Sequence, residues 1–307
     1  AYHHGSLDGV IVNMAQNFPG ANNTPLLDAI GQFGSRISPE ASATRYIFTQ
    51  LSDNFRKLFK TVDNNILEYN EDDGILVEPK YYLPVLPTLL LNGSEGMGTG
   101  FASSVMAYNP ADIKMNILDI LKGRTPVPLI PWYRGFTGNI ERDGDQAIIT
   151  GVITVVNTTT LEITELPIGS YTTKYRDTLN SLEDHGIVKS YVDESDEEST
   201  KFTVKVSREI AAQDTEKLLQ TFKLVKRETE NITVWTDEFK IRKFDNVNDY
   251  LKWFVSFRVG RYDDRKEYIL RSLSAEKDKM DEEIRFIKLY LKRSKVWSEA
   301  LNKDIIS

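Results

Sequence analysis

The feature that most limits how this chain can fold is a long helical repeat of apolar residues at its C-terminal end. No proline occurs after Pro167 and no glycine after Gly260. Beyond that point, apolar residues recur at steps of seven, four or three, as in the seam of a coiled coil: Tyr262, Ile269, Leu273, Met280, Ile284, Ile287 and Leu291. We predict a helix of roughly 45 residues, about 70 Å long. One domain cannot bury such a rod, so it needs a second long helix against it.

The chain as a whole has the composition of a folded, water-soluble protein. Of its 307 residues, 40% are hydrophobic and 27% are charged, which suits one to three domains with their own cores. It has no apolar run of about 18 residues, so we expect no membrane span. The first residues lack the pattern of a signal peptide. The absence of cysteine excludes disulfides and thiolate metal sites, and fits an intracellular location.

The charge of the chain limits the kinds of partner it can have. A formal net charge of −7 argues against a general nucleic-acid coat, because phosphate binding normally comes with a basic surface. Any positive field must therefore be local or supplied by a partner. Lys and Arg do outnumber Asp and Glu between residues 239 and 295. The acidic run at 193–198 is interpreted as a solvated loop.

Residues 31–49 place a tyrosine directly after an arginine in a glycine-containing segment, GQFGSRISPEASATRYIFT. A phenol is a poor nucleophile at neutral pH, because its unperturbed pKa is about 10. The cation of Arg45 favours the phenolate of Tyr46 and can neutralise a phosphate under attack. Gly31 and Gly34 let the backbone approach a ligand. From spacing alone, the simpler alternative is a packed ring beside a solvated charge.

Four other short segments contain residues that could form a site. Residues 2–5 read YHHG, and two histidines bonded within a turn are the simplest interpretation. Residues 93–100 are rich in glycine but lack the lysine that a nucleotide-binding P-loop requires. Residues 71–74 and 143–145 contain acidic side chains next to glycine, which is typical of turns, so we assign no metal to them.

The periodicity of the chain predicts the following elements. We expect helices at 7–18, after Ser52, from Asn109 to Gly123, at 174–184 and at 215–222. Residues 78–92 are expected to be a buried extended run. Strands are expected at 146–156, 161–166, 187–192 and 201–206, with a hairpin of 232–235 and 239–244. Residues 109–245 therefore form an α+β module with a mainly antiparallel sheet.

The wording of residues 31–49 resembles the active-site segment of type IIA DNA topoisomerases. The match is closer to the eukaryotic and T-even phage members than to gyrase. Further motifs follow in family order over nearly the whole chain: YHHG at 2–5, LLLNGSEGMGTG at 89–100, EITELPIGSYTTKY at 162–175 and NITVW at 231–235. The resemblance implies that Tyr46 is the nucleophile that breaks DNA and that Arg45 clamps the phosphate beside it.

The same resemblance implies a set of DNA contacts. Met97 stands where the family usually has an isoleucine that wedges between bases and bends the duplex; the alternative is an ordinary core methionine. For the two basic residues at the start of the helix predicted at 174–184, the alternative is a pair of solvated charges. The candidate DNA-contacting residues besides Met97 are His3, His4, Gln32, Ser35, Arg36, Lys174 and Arg176.

The implied architecture is a multidomain α+β protein. Residues 1–108 are expected to be a winged-helix DNA-cleavage domain that lacks its N-terminal part. Residues 109–245 are expected to be the family's tower domain. Residues 246–307 are expected to be the first arm of a coiled coil, ending before the dimer gate.

The resemblance also implies partners. These are double-stranded DNA, a second copy of the chain, and a TOPRIM and ATPase portion that is fused or separate. Mg²⁺ and ATP are needed by the complete enzyme and are expected to bind outside this chain. Alone, the chain is expected to cleave DNA poorly or not at all. The alternative is a non-catalytic DNA-bending or scaffold dimer of the same fold, against which the Arg45–Tyr46 pair argues.

Overall fold

The computed structural model describes the backbone of residues 4–306 and the side chains of residues 6–299. Its contacts divide the chain into two compact units. One comprises Ala1–Lys60 and Tyr82–Ser256, and the other comprises Thr61–Tyr81 and Phe257–Ser307. Among the described helices, none combines the length and apolar character that a bilayer crossing needs. Because the first unit includes residues of all three predicted domains, the boundaries near 108 and 245 stay predictions.

The described helices and strands alternate irregularly along the chain. The helices are α1 (His4–Ala15), α2 (Asp53–Leu58), α3 (Thr88–Asn92), α4 (Pro110–Leu121), α5 (Thr172–Asp184), α6 (Arg208–Ala211), α7 (Thr215–Thr221) and α8 (Val247–Ile306). The strands are β1 (Leu27–Ile30), β2 (Phe48–Leu51), β3 (Tyr69–Asp72), β4 (Ile75–Pro79), β5 (Ser94–Gly98), β6 (Phe101–Val105), β7 (Asn139–Asp143), β8 (Gln146–Thr150), β9 (Val152–Asn157), β10 (Thr160–Glu165), β11 (Val188–Asp193), β12 (Phe202–Val206), β13 (Val225–Thr229), β14 (Ile232–Trp235) and β15 (Ile241–Phe244).

Two antiparallel sheets form the α+β part of the first unit, as the sequence predicted. Their strand orders are β11-β12-β10-β9 and β13-β8-β7. Alternate residues of β10 face inward, where Leu161 and Ile163 belong to the same buried core as Tyr175 and Leu179 of α5. The hydrophobic effect of this shared apolar face holds helix and sheet together.

The prediction of one strand over 146–156 is wrong. The structure has two strands there, β8 and β9, and they belong to different sheets. The break lies at Gly151, whose amide donates to the carbonyl of Leu224 at 2.8 Å. A β-carbon at this glycine would collide with the carbonyl oxygen of Glu165. Only a residue without a side chain can pass so close to β10.

The first elements of the first unit are explained by short-range interactions. The helix predicted from residue 7 is α1, which ends at Ala15. Strands β1 and β2 pair antiparallel with Ile30 opposite Phe48. The Ser52 hydroxyl accepts from the amide of Phe55 at 3.2 Å and so caps α2, as predicted.

A second core of the first unit joins α3 and α4 to the first turns of α8. It includes the fully buried Leu90, Ile113 and Leu251. The prediction of an extended run over 78–92 is wrong for residues 88–92. These residues form α3, whose buried leucines belong to this core. Asn109 caps α4 through a 2.9 Å bond to the amide of Ala111, and the positive φ of Gly123 follows its end, as expected.

The second unit is built around a buried carboxylate. Asp63 accepts hydrogen bonds from Arg258 and Arg265 of α8, and both guanidinium groups lie over the ring of Tyr262. The acidic turn predicted at 71–74 joins β3 to β4. Helix α8 has 60 residues, longer than predicted, and many large apolar side chains of its later turns are exposed, including Leu273, Ile284, Ile287 and Leu291.

Candidate active site and nucleic-acid interface

Tyr46 ends an exposed 3-10 turn, Thr44–Tyr46, which one residue separates from β2. Its amide donates to the carbonyl of Ala43 at 2.9 Å, which fixes the turn. The tyrosine is 67% exposed, and the guanidinium carbon of Arg45 lies 4.9 Å from its ring centroid. The alternative of a packed ring is therefore wrong. The pair presents a phenol and a cation together at the surface.

The segment before this turn is closed into a loop by a buried glutamine. The side-chain amide of Gln16 donates to the carbonyls of Phe33 and Pro39, at 2.8 Å each. Gly34 lies between them with a φ of 97°, and a β-carbon there would lie 2.7 Å from the Pro39 oxygen. Glycine is required at this point because other residues rarely adopt this φ and have no room.

Arg36 does not lie where the sequence predicted. It is 3% exposed, forms an ion pair with Glu165 and donates to the carbonyl of Leu166 at 2.7 Å. The other oxygen of Glu165 accepts from the amide and hydroxyl of Thr137, both at 3.1 Å. This burial argues against a direct contact between Arg36 and a DNA phosphate. Its charge is instead used to fix the Tyr46 segment to the end of β10.

The same segment is bonded to the start of α5. The amide and hydroxyl of Thr173 donate to the carbonyl of Ile37 at 3.2 and 2.9 Å. Ser35 is buried, and its hydroxyl accepts from the amide of Ile37 at 3.2 Å, so it shapes the loop and is not displayed to a ligand. Gln32 is exposed, although its side-chain oxygen accepts from the Gly34 amide at 3.1 Å.

The two basic candidates on α5 differ in their surroundings. Lys174 is exposed. Arg176 is also exposed, but its Nε donates to Asp193 at 2.6 Å, so part of its charge is already paired. Of the two, Lys174 is the better candidate for a phosphate contact.

Met97 lies near the tip of the hairpin formed by β5 and β6, directly opposite Ala102. It is 93% exposed. The alternative of a core methionine is therefore wrong, and the glycine-rich segment is part of a regular hairpin. An apolar side chain held this far into solvent has the placement that a wedge requires.

The histidine candidates cannot be placed as side chains. His3 lies outside the described residues. His4 begins α1, and its side chain lies outside the described ones. Both proposed DNA contacts therefore stay predictions.

Within the residues whose side chains are described, no group of three or more His, Asp or Glu is arranged to hold a metal ion. The acidic pair Asp143 and Asp145 flanks the β7–β8 turn. Asp143 and Asp145 alone do not make up a divalent-cation site.

Sequence reasoning missed Glu165, Thr137 and Gln16 as parts of the site. A signal for Glu165 was present, since it continues the inward alternation of Leu161 and Ile163 along β10. A charged residue in a buried register needs a charged partner. The sequence did not indicate that Arg36 would be that partner.

Comparisons with known proteins agree with this geometry. A family model for the A-type subunit of DNA gyrase/topoisomerase IV matches residues 1–307. DNA topoisomerase 2 of Plasmodium falciparum is 38% identical over 298 residues, which are 94% of this chain and 21% of that protein. DNA topoisomerase 2-beta of Gallus gallus is 40% identical over 300 residues, 94% of this chain and 18% of that protein.

A solved structure is also similar. The crystal structure of the DNA-binding, cleavage and re-ligation domain of Plasmodium falciparum topoisomerase II matches with a TM-score of 0.85 and 40% identity, covering 90% of this chain and 39% of that one. The chain spans about a fifth of the length of the curated relatives it matches. From the match along its full length, the chain belongs to the family of the DNA gyrase/topoisomerase IV A-type subunits.

Proposed function

We propose that this chain is the DNA breakage–reunion part of a type II topoisomerase, in which Tyr46 makes a transient covalent bond to DNA. The observation that carries the proposal is the exposed Arg45–Tyr46 pair on a loop fixed from three sides. Gln16 closes the loop, Glu165 holds Arg36, and Thr173 holds Ile37. A nucleophile held this way keeps its orientation while a large substrate docks.

The proposed step is a transesterification. The Tyr46 oxygen attacks a backbone phosphorus, the bond from phosphorus to the 3′ oxygen breaks, and the phenol proton is lost as the 3′ oxygen gains one. The product is a 5′-phosphotyrosyl ester, a covalent intermediate. Because one phosphoester replaces another, the 3′ hydroxyl can reverse the step without a nucleotide. Two such cuts, one per protomer, would open a gate for a second duplex.

Arg45 would stabilise the charge that develops on the phosphate. Its guanidinium lies beside the Tyr46 ring and is not buried, so it can turn toward a bound phosphate. Electrostatic stabilisation of a transition state by one donor typically changes the rate by about 10²–10³-fold.

The duplex would be bound by surfaces of the first unit. Met97 would unstack a base step, while Gln32, Lys174, His3 and His4 would contact the backbone. We propose that residues 1–108 act as a winged-helix domain, which commonly sets a helix against duplex DNA, and that residues 109–245 act as a tower supporting the outer duplex arms. The exposed apolar side chains of α8 would pack in a coiled coil.

The complete cycle would need parts beyond these residues. We propose that a homodimer acts together with TOPRIM and ATPase portions, which would supply Mg²⁺ and ATP binding. Mg²⁺ would offset phosphate charge and assist the leaving oxygen. Acting on DNA, the protein would work inside a cell.

The test traps the covalent intermediate. The full protein, with its TOPRIM and ATPase portions and Mg²⁺, is mixed with supercoiled plasmid and stopped with detergent. We expect protein joined to 5′ ends, absent in Tyr46→Phe and retained in Tyr82→Phe, which alters another exposed tyrosine of the same unit. Attachment that persists in Tyr46→Phe would contradict the proposal.

A second function is favoured by the exposure of Met97. A non-catalytic dimer could use this hairpin to bend DNA without cutting it. Bending by the wild-type protein without any covalent attachment would support this scaffold function over the enzyme.

A further inference from the structure

The hairpin that carries Met97 has little packing of its own. All five residues of β5 are exposed, and so are Phe101 and Ala102 at the start of β6. A two-stranded hairpin without a packed face is marginally stable in water. Its direction must therefore be fixed by bonds along one of its edges.

Those bonds come from Asn231, which directly precedes β14. Its backbone exchanges two hydrogen bonds with Ser104, at 2.9 and 2.8 Å. Its side-chain amide then donates to the carbonyl of Ala102 at 2.6 Å. Ala102 is the residue directly opposite Met97 in the hairpin. The Asn231 side chain thus extends the contact from the base of the hairpin to the level of the exposed methionine.

Asn231 is itself held by a buried ionic network. The preceding residue, Glu230, accepts from the Tyr108 hydroxyl at 2.8 Å, from Arg142 at 2.7 Å and from the Met106 amide at 3.1 Å. Arg142 also donates to the Tyr108 hydroxyl at 3.0 Å. Met106 directly follows β6, so the network fixes both the strand that ends the hairpin and the residue that braces it.

The orientation of the Asn231 amide is also set. Its side-chain oxygen accepts from the Thr233 hydroxyl at 2.8 Å, which leaves the NH₂ group facing Ala102. With both its oxygen and its NH₂ group bonded, the Asn231 side chain is held in one arrangement next to the buried Glu230.

We propose that Asn231 is a positioning residue that sets the direction in which Met97 meets the duplex. This inference rests on the proposed function, because it assumes that Met97 is the wedge. A wedge must resist a few kcal/mol of base unstacking, which a hairpin free to swing cannot do. Asn231 stiffens the hairpin at the level of Met97 through its bond to Ala102.

The experiment measures bending of a short duplex labelled with a dye at each end, using the full protein. It compares wild type, Asn231→Ala, Met97→Ala and the double variant. Loss of the amide donor is expected to lower the equilibrium between bent and straight duplex about fivefold, the effect of one hydrogen bond. In the Met97→Ala background, Asn231→Ala is expected to have no further effect, because the two residues act on the same event.

Two further variants separate positioning from folding. Asn231→Asp keeps the oxygen that accepts from Thr233 but puts a second oxygen in place of the NH₂ group that donates to Ala102. This variant should therefore bend DNA as weakly as Asn231→Ala does. Asn139→Ala removes another side-chain amide of the same unit, one that bonds Glu141 on the surface, and should bend DNA as wild type does. Melting temperatures of all variants should stay within a few degrees of wild type.

The outcomes distinguish the inference from the proposed function. If Met97→Ala weakens bending and Asn231→Ala does not, the inference is overturned and the wedge stands. An equal effect of Asn231→Ala in both backgrounds also overturns it, since Asn231 would then act independently of Met97. If Met97→Ala leaves bending unchanged, the wedge itself fails, and the role of Asn231 fails with it.

Discussion

Arg36 and Glu165, which are 129 positions apart, form a buried ion pair that fixes the segment carrying Tyr46 to the end of β10. Their side chains are 3% and 7% exposed. One nitrogen of Arg36, Nη1, is buried with no hydrogen-bond partner. Both charges are removed from water. Replacing only one of the two residues therefore leaves the other charge buried without a partner, which lowers the free energy of unfolding substantially.

The first prediction is that Glu165→Gln destabilises the protein by about 3–5 kcal/mol, because it leaves the charge of Arg36 buried and uncompensated. DNA cleavage should also fall, since the Tyr46 segment loses its anchor. Chemical denaturation and the detergent-trapped cleavage assay measure the two effects.

The matched control is Glu162→Gln on the same strand. Glu162 lies 3.9 Å from Lys201 in a partly exposed pair, so the change should cost less than about 1 kcal/mol. Replacing both buried charges together, as Arg36→Met with Glu165→Leu, should destabilise less than Glu165→Gln alone. Equal losses for Glu165→Gln and Glu162→Gln would show that burial does not govern the Arg36 pair.

The second prediction concerns Arg45. Arg45→Ala should lower the rate of DNA cleavage by about 10²–10³-fold, because a donor near the reacting phosphate is lost. Its stability should change by less than about 0.5 kcal/mol, since Arg45 is exposed. Single-turnover cleavage kinetics check the rate. Arg56→Ala, which removes an exposed arginine of α2, is the control and should cleave normally; equal loss in both variants would argue for a general charge effect.

The third prediction tests the loop geometry. Gly34→Ala should destabilise the protein by about 1–3 kcal/mol, because alanine is strained at this positive φ and its β-carbon meets the Pro39 carbonyl. Gly9→Ala is the matched control. Gly9 lies in α1 with nothing within 4 Å of its added β-carbon, so alanine should be neutral or stabilise the helix. Thermal unfolding compares the two, and a harmless Gly34→Ala would show that the loop adapts freely.

The fourth prediction concerns alkaline pH. Burial raises the pKa of Tyr175 well above its ordinary value of 10, and its hydroxyl donates to the Phe222 carbonyl at 2.8 Å. Above pH 10 the unfolded chain releases this proton while the folded chain keeps it. The contribution of Tyr175 to the free energy of unfolding is therefore fully present below pH 10. It decreases above pH 10 by about 1.4 kcal/mol per pH unit.

Tyr175→Phe should be less stable than wild type by about 1–2 kcal/mol at pH 8, because the Phe222 carbonyl loses its partner. The difference should narrow as pH rises above 10, since the variant lacks this titrating group. Urea denaturation at pH 8, 10 and 11 measures the narrowing. The remaining tyrosines contribute equally to both proteins, so a constant difference would show that Tyr175 does not titrate in this way.

Sequence patterns predicted the elements that depend on local chemistry. Ser52 and Asn109 cap their helices because each side-chain oxygen reaches an amide two or three residues ahead. Helix α8 was predicted because its spacing is regular over many turns. The Arg45–Tyr46 pair was found through the wording of its segment, since a tyrosine beside an arginine is too common to identify a site.

Features that depend on distant residues were not predicted. Arg36 was expected to contact DNA because its segment resembles the family's active-site motif. Nothing near it in sequence indicated a buried partner 129 positions away. Residues 146–156 read as one strand, because the side-chain pattern continues across Gly151 while the backbone changes sheets. Residues 88–92 read as extended because their leucines form an apolar run without visible helical spacing.

The absence of a side chain at Gly151 has a consequence far from its own position. The backbone there lies so close to β10 that any β-carbon would clash with the carbonyl oxygen of Glu165. A shift of Glu165 that relieves this clash would also move its carboxylate, which pairs with Arg36. The loop that carries Tyr46 would move with Arg36. A conservative change in a sheet with no part in the chemistry would thus misalign the reacting oxygen, and a loss-of-function variant could arise where no ligand is ever touched.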